Sequence, residues 1–204
     1  MGLFDSLTRS AGNAISNAAA NAVTGAVNEA QRKRETFTFT TIPRSVADLK
    51  ALPESDLSTP FKTCALTMLV LLNYADDVNA TIEMLNFLKG PEPMNAYQIS
   101  FLKERLAGKE YVVRSYFEGS SPQNNYIPTE PLKITVFDNP YSYPEAGWAT
   151  LHMNSTGADS PRQIKCRLKP STNQWFLVEN LALSDIRTPV AADPWALPLA
   201  RTRT

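Results

Sequence analysis

The chain is poor in the residues that most often carry chemistry: one histidine, two cysteines and eight glycines in 204 residues. Cys64 and Cys166 belong to no CxxC pair, which argues against a zinc ribbon and against a disulfide framework. The few glycines form no phosphate-cradling loop. Carboxylates are scattered singly. Asp76-Asp77 is the one adjacent pair, and it stands where a helix would be capped, so no metal site is expected. No cofactor motif is present. Charge of one sign is also missing: Lys+Arg and Asp+Glu balance at 20 each, so nothing global favours nucleic acid. No apolar run reaches the about 20 residues that cross a bilayer. The N-terminus lacks the basic start and continuous apolar stretch of a secretory signal. A reducing, cytoplasmic setting is the expectation.

What is present is organised around one stretch, Pro60–Lys89, whose first helical run is followed by a polar break and a second run. Phe61, Cys64, Ala65, Met68, Leu69 and Leu72 recur at i, i+3, i+4 spacing, one face of a helix. Leu66, Val70 and Leu71 make much of the other side apolar, and a helix apolar nearly all round is a buried one. Thr59 or Ser58 caps it and Pro60 suits its first turn.

Residues 1–35 have a different composition from the rest. Leu3, Leu7, Ala11, Ile15, Ala19, Val23 and Val27 recur every four residues beside a second line of alanines. This predicts an amphipathic helix with a shallow apolar face. A strict four-residue line drifts around a helix of 3.6 residues per turn, so the arm gains order only against something else. It reads as a loosely docked helix tethered by residues 31–35, or as one whose partner is a second copy, another protein or a membrane surface, with Leu3, Phe4 and Leu7 as the inserting tip and Arg32–Arg34 near lipid phosphates. The last case would make the protein membrane-peripheral.

Residues 36–188 read as a single α+β domain, and 189–204 as a proline-containing tail, expected to be mobile unless Trp195 and Leu197 pin it down. Thr36–Thr40 alternates as a strand. Helices are predicted over Ser45–Leu52, from Pro60 to about Asn73, from Asp76 or Asp77 to Gly90, and from Asn95 to Gly108, where Asn95 and Gln98 resemble a capping box. Beyond Gly108 the period falls to 2. Strands are predicted at Tyr111–Phe117, Leu132–Phe137, Trp148–Met153, Gln163–Leu168 and Gln174–Val178. Helices first and strands later give a three-helix layer on a C-terminal antiparallel sheet or small open barrel.

Cys64, His152 and Asp159 follow the chain order of a cysteine hydrolase, in which a helix presents the thiol and a strand the imidazole. Cys64 lies on the core stripe, however, where cysteine behaves as a small hydrophobe. The interaction candidates of the domain are Asp159 and Arg162, in a polar loop, and Lys165 and Arg167, which with Lys169 form one basic face of a strand. No aromatics interleave with these cations, so nucleic acid is not expected. The reading is a non-enzymatic interaction or scaffold protein docking through its N-terminal helix. The alternatives are the Cys64/His152 hydrolase and a small ligand-binding module with a pocket between sheet and helices, a reading that an aromatic-lined cavity containing Trp148 or Tyr116 would favour.

Pro60-Phe61-Lys62-Thr63-Cys64-Ala65-Leu66, Gly157-Ala158-Asp159-Ser160-Pro161-Arg162 and Trp175-Phe176-Leu177-Val178-Glu179 with Ile186-Arg187-Thr188-Pro189 together resemble a bacterial family of uncharacterised proteins, over residues 36–189. The resemblance implies a bacterial cytosolic protein, a domain of unknown function, with no catalytic residues to carry over.

Overall fold

The architecture comes from a computed structural model, which describes residues 32–193 and Trp195. The N-terminal helix predicted over 1–35, with Leu3, Phe4 and Leu7, lies outside the described residues, as does Leu197. The chain divides into two units, Met1–Lys33 and a larger one that starts at Arg34.

The larger unit is α+β. It comprises β1 (Arg34–Phe39), α1 (Val46–Ala51), α2 (Pro60–Leu71), α3 (Val78–Lys89), α4 (Ala96–Leu106), a single turn α5 (Tyr111–Arg114), then β2 (Leu132–Phe137), β3 (Trp148–Met153), β4 (Arg162–Lys169) and β5 (Gln174–Asn180). The strands form one curled, open antiparallel sheet in chain order, β1 to β5. No helix among the described residues is long and apolar enough to cross a membrane.

Alternation along the strands sends one set of side chains towards the helices. Phe37 and Phe39 face Ile134 and Leu132 across the β1–β2 ladder, and Ala149 and Leu151 face Cys166 and Ile164 across β3–β4. All eight are buried. Onto this face packs α2, the predicted centre of the core. Eleven of its twelve residues are buried, Lys62 being the exception. Thr59 caps its first turn by accepting from the Lys62 N–H, and Pro60 needs no donor there. The Thr63 hydroxyl donates to the Trp175 carbonyl at 2.7 Å, which fastens α2 to β5.

Three predictions need correction. Tyr111–Phe117 is not a strand: it contains the helical turn α5 and a further turn after it. Its buried residues include Val112, Val113, Tyr116 and Phe117, a spacing of i, i+1, i+4, i+5 that belongs to a helix. The sheet is also not purely C-terminal, because β1 precedes every described helix and pairs along its whole length with β2. In the tail, Trp195 is 90% exposed, so it pins nothing.

Candidate functional site

The hydrolase arrangement does not form. Cys64 is fully buried, and its sulfur lies 3.7 Å from the sulfur of Cys166. Burial, and then the neighbouring thiol, push its pKa well above the ordinary value, the opposite of what a thiolate nucleophile needs. His152 succeeds the inward-facing Leu151 and so points to the other face of the sheet. There it stacks on Phe137, with ring centroids 5.8 Å apart, and its Nε2 lies 3.3 Å from Asn139 Nδ2. Cys64 and His152 are therefore on opposite faces of the sheet. Asp159 joins neither, since its side chain is 90% exposed and ion-pairs with Arg187.

The polar loop is a structural staple. Arg162 donates to the carbonyls of Ser160, Ser184 and Asp185 and to the Ser160 hydroxyl, at 2.8–3.1 Å. Gly157 lies so close to Tyr126 that an added Cβ would come within 2.4 Å of its hydroxyl. That hydroxyl donates to the Arg187 carbonyl at 2.8 Å. The loop thus holds the segment after β5 against the domain.

The basic face of β4 is engaged as well. Lys165 pairs with Glu179 at 2.8 Å, and the Arg167 guanidinium lies 5.0 Å from the centre of the Trp148 ring. β4 lies between β3 and β5, so these cations are not guarding an edge.

One concave feature of this unit lies between α3, α4 and the outer edge of β5. It is a groove of about 350 Å³ with Leu85, Met94, Phe101, Leu102, Leu177 and Leu183 in its walls. Trp148 and Tyr116, whose presence in a cavity would have favoured a ligand-binding module, line no part of it. Tyr116 is buried with its hydroxyl 2.6 Å from the Ala182 carbonyl. Local sequence builds each wall of the groove. Asp77 caps α3 by accepting from Ala80 N–H at 2.9 Å. Gly90 ends the helix with φ of +63°, and its Cα lies against the Phe176 ring, where a Cβ would approach to 2.4 Å. Only glycine meets both demands. It lets the end of α3 settle on β5. The next turn is tied back by Met94 N–H to Asn86 Oδ1 at 2.8 Å. The capping box then forms as predicted: Asn95 Oδ1 accepts from Gln98 N–H at 2.9 Å, and Gln98 Oε1 accepts from Asn95 N–H at 3.1 Å.

Tyr97, 78% exposed, and Leu181, 40% exposed, line the groove. Lys89 also lines it, yet is only 8% exposed; its Nζ donates to the Val178 carbonyl at 3.2 Å. Burial lowers its pKa below the usual lysine value, and the Glu92 carboxylate partly opposes this. Sequence reasoning missed these residues. A signal existed in the line Thr81, Leu85, Lys89, which places a lysine where a four-residue spacing puts the buried face of α3. Among the described residues no group of three or more His, Cys, Asp or Glu side chains is placed to hold a metal ion.

The described residues thus define a class: an α+β domain on a curled five-stranded antiparallel sheet, with an apolar groove beside its last strand. The profile of DUF6935, a domain of unknown function, matches residues 41–190, and the chain belongs to this family. No curated protein and no solved structure matches it.

Proposed function

We propose that this is a non-catalytic binding protein of the bacterial cytoplasm whose domain takes an apolar ligand in the groove between α3, α4 and β5. The observation that carries the reading is the groove itself: about 350 Å³, walled by leucine, methionine and phenylalanine, with Tyr97 and Leu181 exposed beside it. Ligand sites of about 300–1,000 Å³ are typically apolar with a few placed polar groups. The opposite-face placement of Cys64 and His152 supports this reading over the hydrolase.

The test is fluorescence of the neutral apolar dye N-phenyl-1-naphthylamine with the full chain. Saturable enhancement, weakened by Tyr97→Ser with Leu181→Ser, is the expected result. No enhancement, or enhancement indifferent to the double substitution, refutes the groove as the binding surface.

Residues 1–35 are proposed to serve the same role at a larger scale, joining the protein to a second copy, another protein or a membrane surface. The support is the four-residue apolar spacing of the arm. Sedimentation of the full chain beside a chain starting at Arg34, with and without anionic vesicles, separates self-association from lipid binding. Identical monomers in every case would exclude both.

A further inference from the structure

Lys89 raises a question that the apolar groove alone does not answer. An ammonium carries three N–H donors. Here it is nine-tenths buried, and among the described residues its one hydrogen bond is to the Val178 carbonyl. No described carboxylate lies within ion-pair distance of it. A buried cation without an opposite charge is costly and is usually paired.

The charged groups around it favour an anion. Lys89, Leu177 and Val178 also line a second cleft of about 210 Å³. Its other walls carry Arg167 and Lys169 against the single carboxylate of Glu92. Glu179, beside the first groove, is already held by Lys165 at 2.8 Å. Positive charge is therefore concentrated in the cleft that shares Lys89, while the walls of the groove include the apolar side chains of Met94, Phe101, Leu102 and Leu181.

We propose that the groove binds a small organic carboxylate with an apolar tail, its carboxylate accepting from Lys89 Nζ and its tail lying along Phe101 and Leu102. This rests on the reading of the groove as a ligand site. A small molecule is favoured over an extended peptide because the β5 edge offers no continuous ladder to an added strand. The Trp175 N–H is taken by the Leu57 carbonyl at 2.8 Å, the Trp175 carbonyl by the Thr63 hydroxyl, and the Val178 carbonyl by Lys89 itself. The lowered pKa of Lys89 fits a cation waiting for its counterion.

The experiment titrates decanoate, decanol and decylamine, below micelle-forming concentrations, against the full chain loaded with N-phenyl-1-naphthylamine at neutral pH. Decanoate is expected to displace the dye at about tenfold lower concentration than decanol, the size of one hydrogen bond to a charged group, with decylamine weakest. Lys89→Met should erase the preference while decanol still displaces. Equal displacement by decanoate and decanol overturns the inference but leaves the apolar groove standing; failure of the dye to bind removes the groove reading itself. The wild-type comparison needs no variant, so a poorly folding Lys89→Met leaves the test intact. A preference for decanoate that survives in a folded Lys89→Met overturns the assignment to Lys89. Stronger displacement by a short apolar peptide with a free C-terminus than by decanoate overturns the small-molecule class.

Discussion

The ammonium of Lys89, at the last position of α3, donates to the carbonyl of Val178 in the outermost strand at 3.2 Å. One side chain thereby closes the helix onto the sheet and leaves a cation inside an apolar groove. Stability is the first place this shows. The folded-state pKa of Lys89 is lowered from 10.5. Between that lowered value and 10.5 the unfolded chain binds more protons than the folded one, so stability rises with pH across the window. Below the folded pKa the penalty is fully present. Lys89→Met should therefore flatten this rise and be no less stable than wild type at neutral pH. Denaturant unfolding of both proteins at a series of pH values checks it, and a variant markedly less stable at neutral pH would contradict it.

Gly90→Ala should be among the most damaging single-methyl additions in the domain. It combines a φ of +63° with a Cβ 2.4 Å from the Phe176 ring. A loss of about 2 kcal/mol or more is expected in denaturant unfolding. Adding Phe176→Ala relieves the overlap but not the backbone strain, so the double mutant should lose less than the sum of the singles.

Native thiols should be inert. Cys64 and Cys166 are both fully buried, and burial pushes the Cys64 thiol away from its reactive form. Ellman's reagent should modify neither cysteine in the folded protein and both in denaturant. Rapid modification of folded protein would place a thiol at the surface. Cys64→Ser should cost about 1–3 kcal/mol, the penalty of burying a hydroxyl in an apolar setting.

Arg162 and Asp159 should separate sharply despite standing three residues apart. Arg162→Ala removes the donor shared by the carbonyls of Ser160, Ser184 and Asp185. A loss of about 2–4 kcal/mol is expected, with the segment after β5 losing amide-exchange protection. Asp159→Ala breaks only an exposed pair with Arg187, and should shift stability by about 0.5 kcal/mol or less.

Features set by neighbours in sequence were legible before any coordinates. The stripe through Phe61, Cys64, Met68 and Leu69 located the core helix, and Asn95 with Gln98 located a capping box that forms in both directions. Alternation located all four C-terminal strands of the sheet. The stretch Tyr111–Phe117 misled because Val112-Val113 and Tyr116-Phe117 are β-favouring residues at helical spacing, and packing decided between the two. The groove was not legible, because α3, α4 and β5 meet only in three dimensions. Lys89 therefore looked like the end of a helix rather than part of a binding surface. Asp159 and Arg162 were visible as a distinctive loop; only the carbonyls of Ser184 and Asp185 reveal that Arg162 is a fastener.

The pairing of β1 with β2 also sets a schedule for synthesis. Thr36 and Thr135 share a hydrogen bond across 99 positions of sequence. At about 5–20 residues per second, the first strand leaves the ribosome on the order of 5–20 s before its partner. During that interval Phe37 and Phe39 have no sheet to join. The helices can form meanwhile from local contacts, and β2 to β5 come after one another as antiparallel neighbours. The nascent chain therefore carries an unpaired aromatic strand while the 99 positions between Thr36 and Thr135 are translated, and the sheet is completed at that edge when β2 emerges.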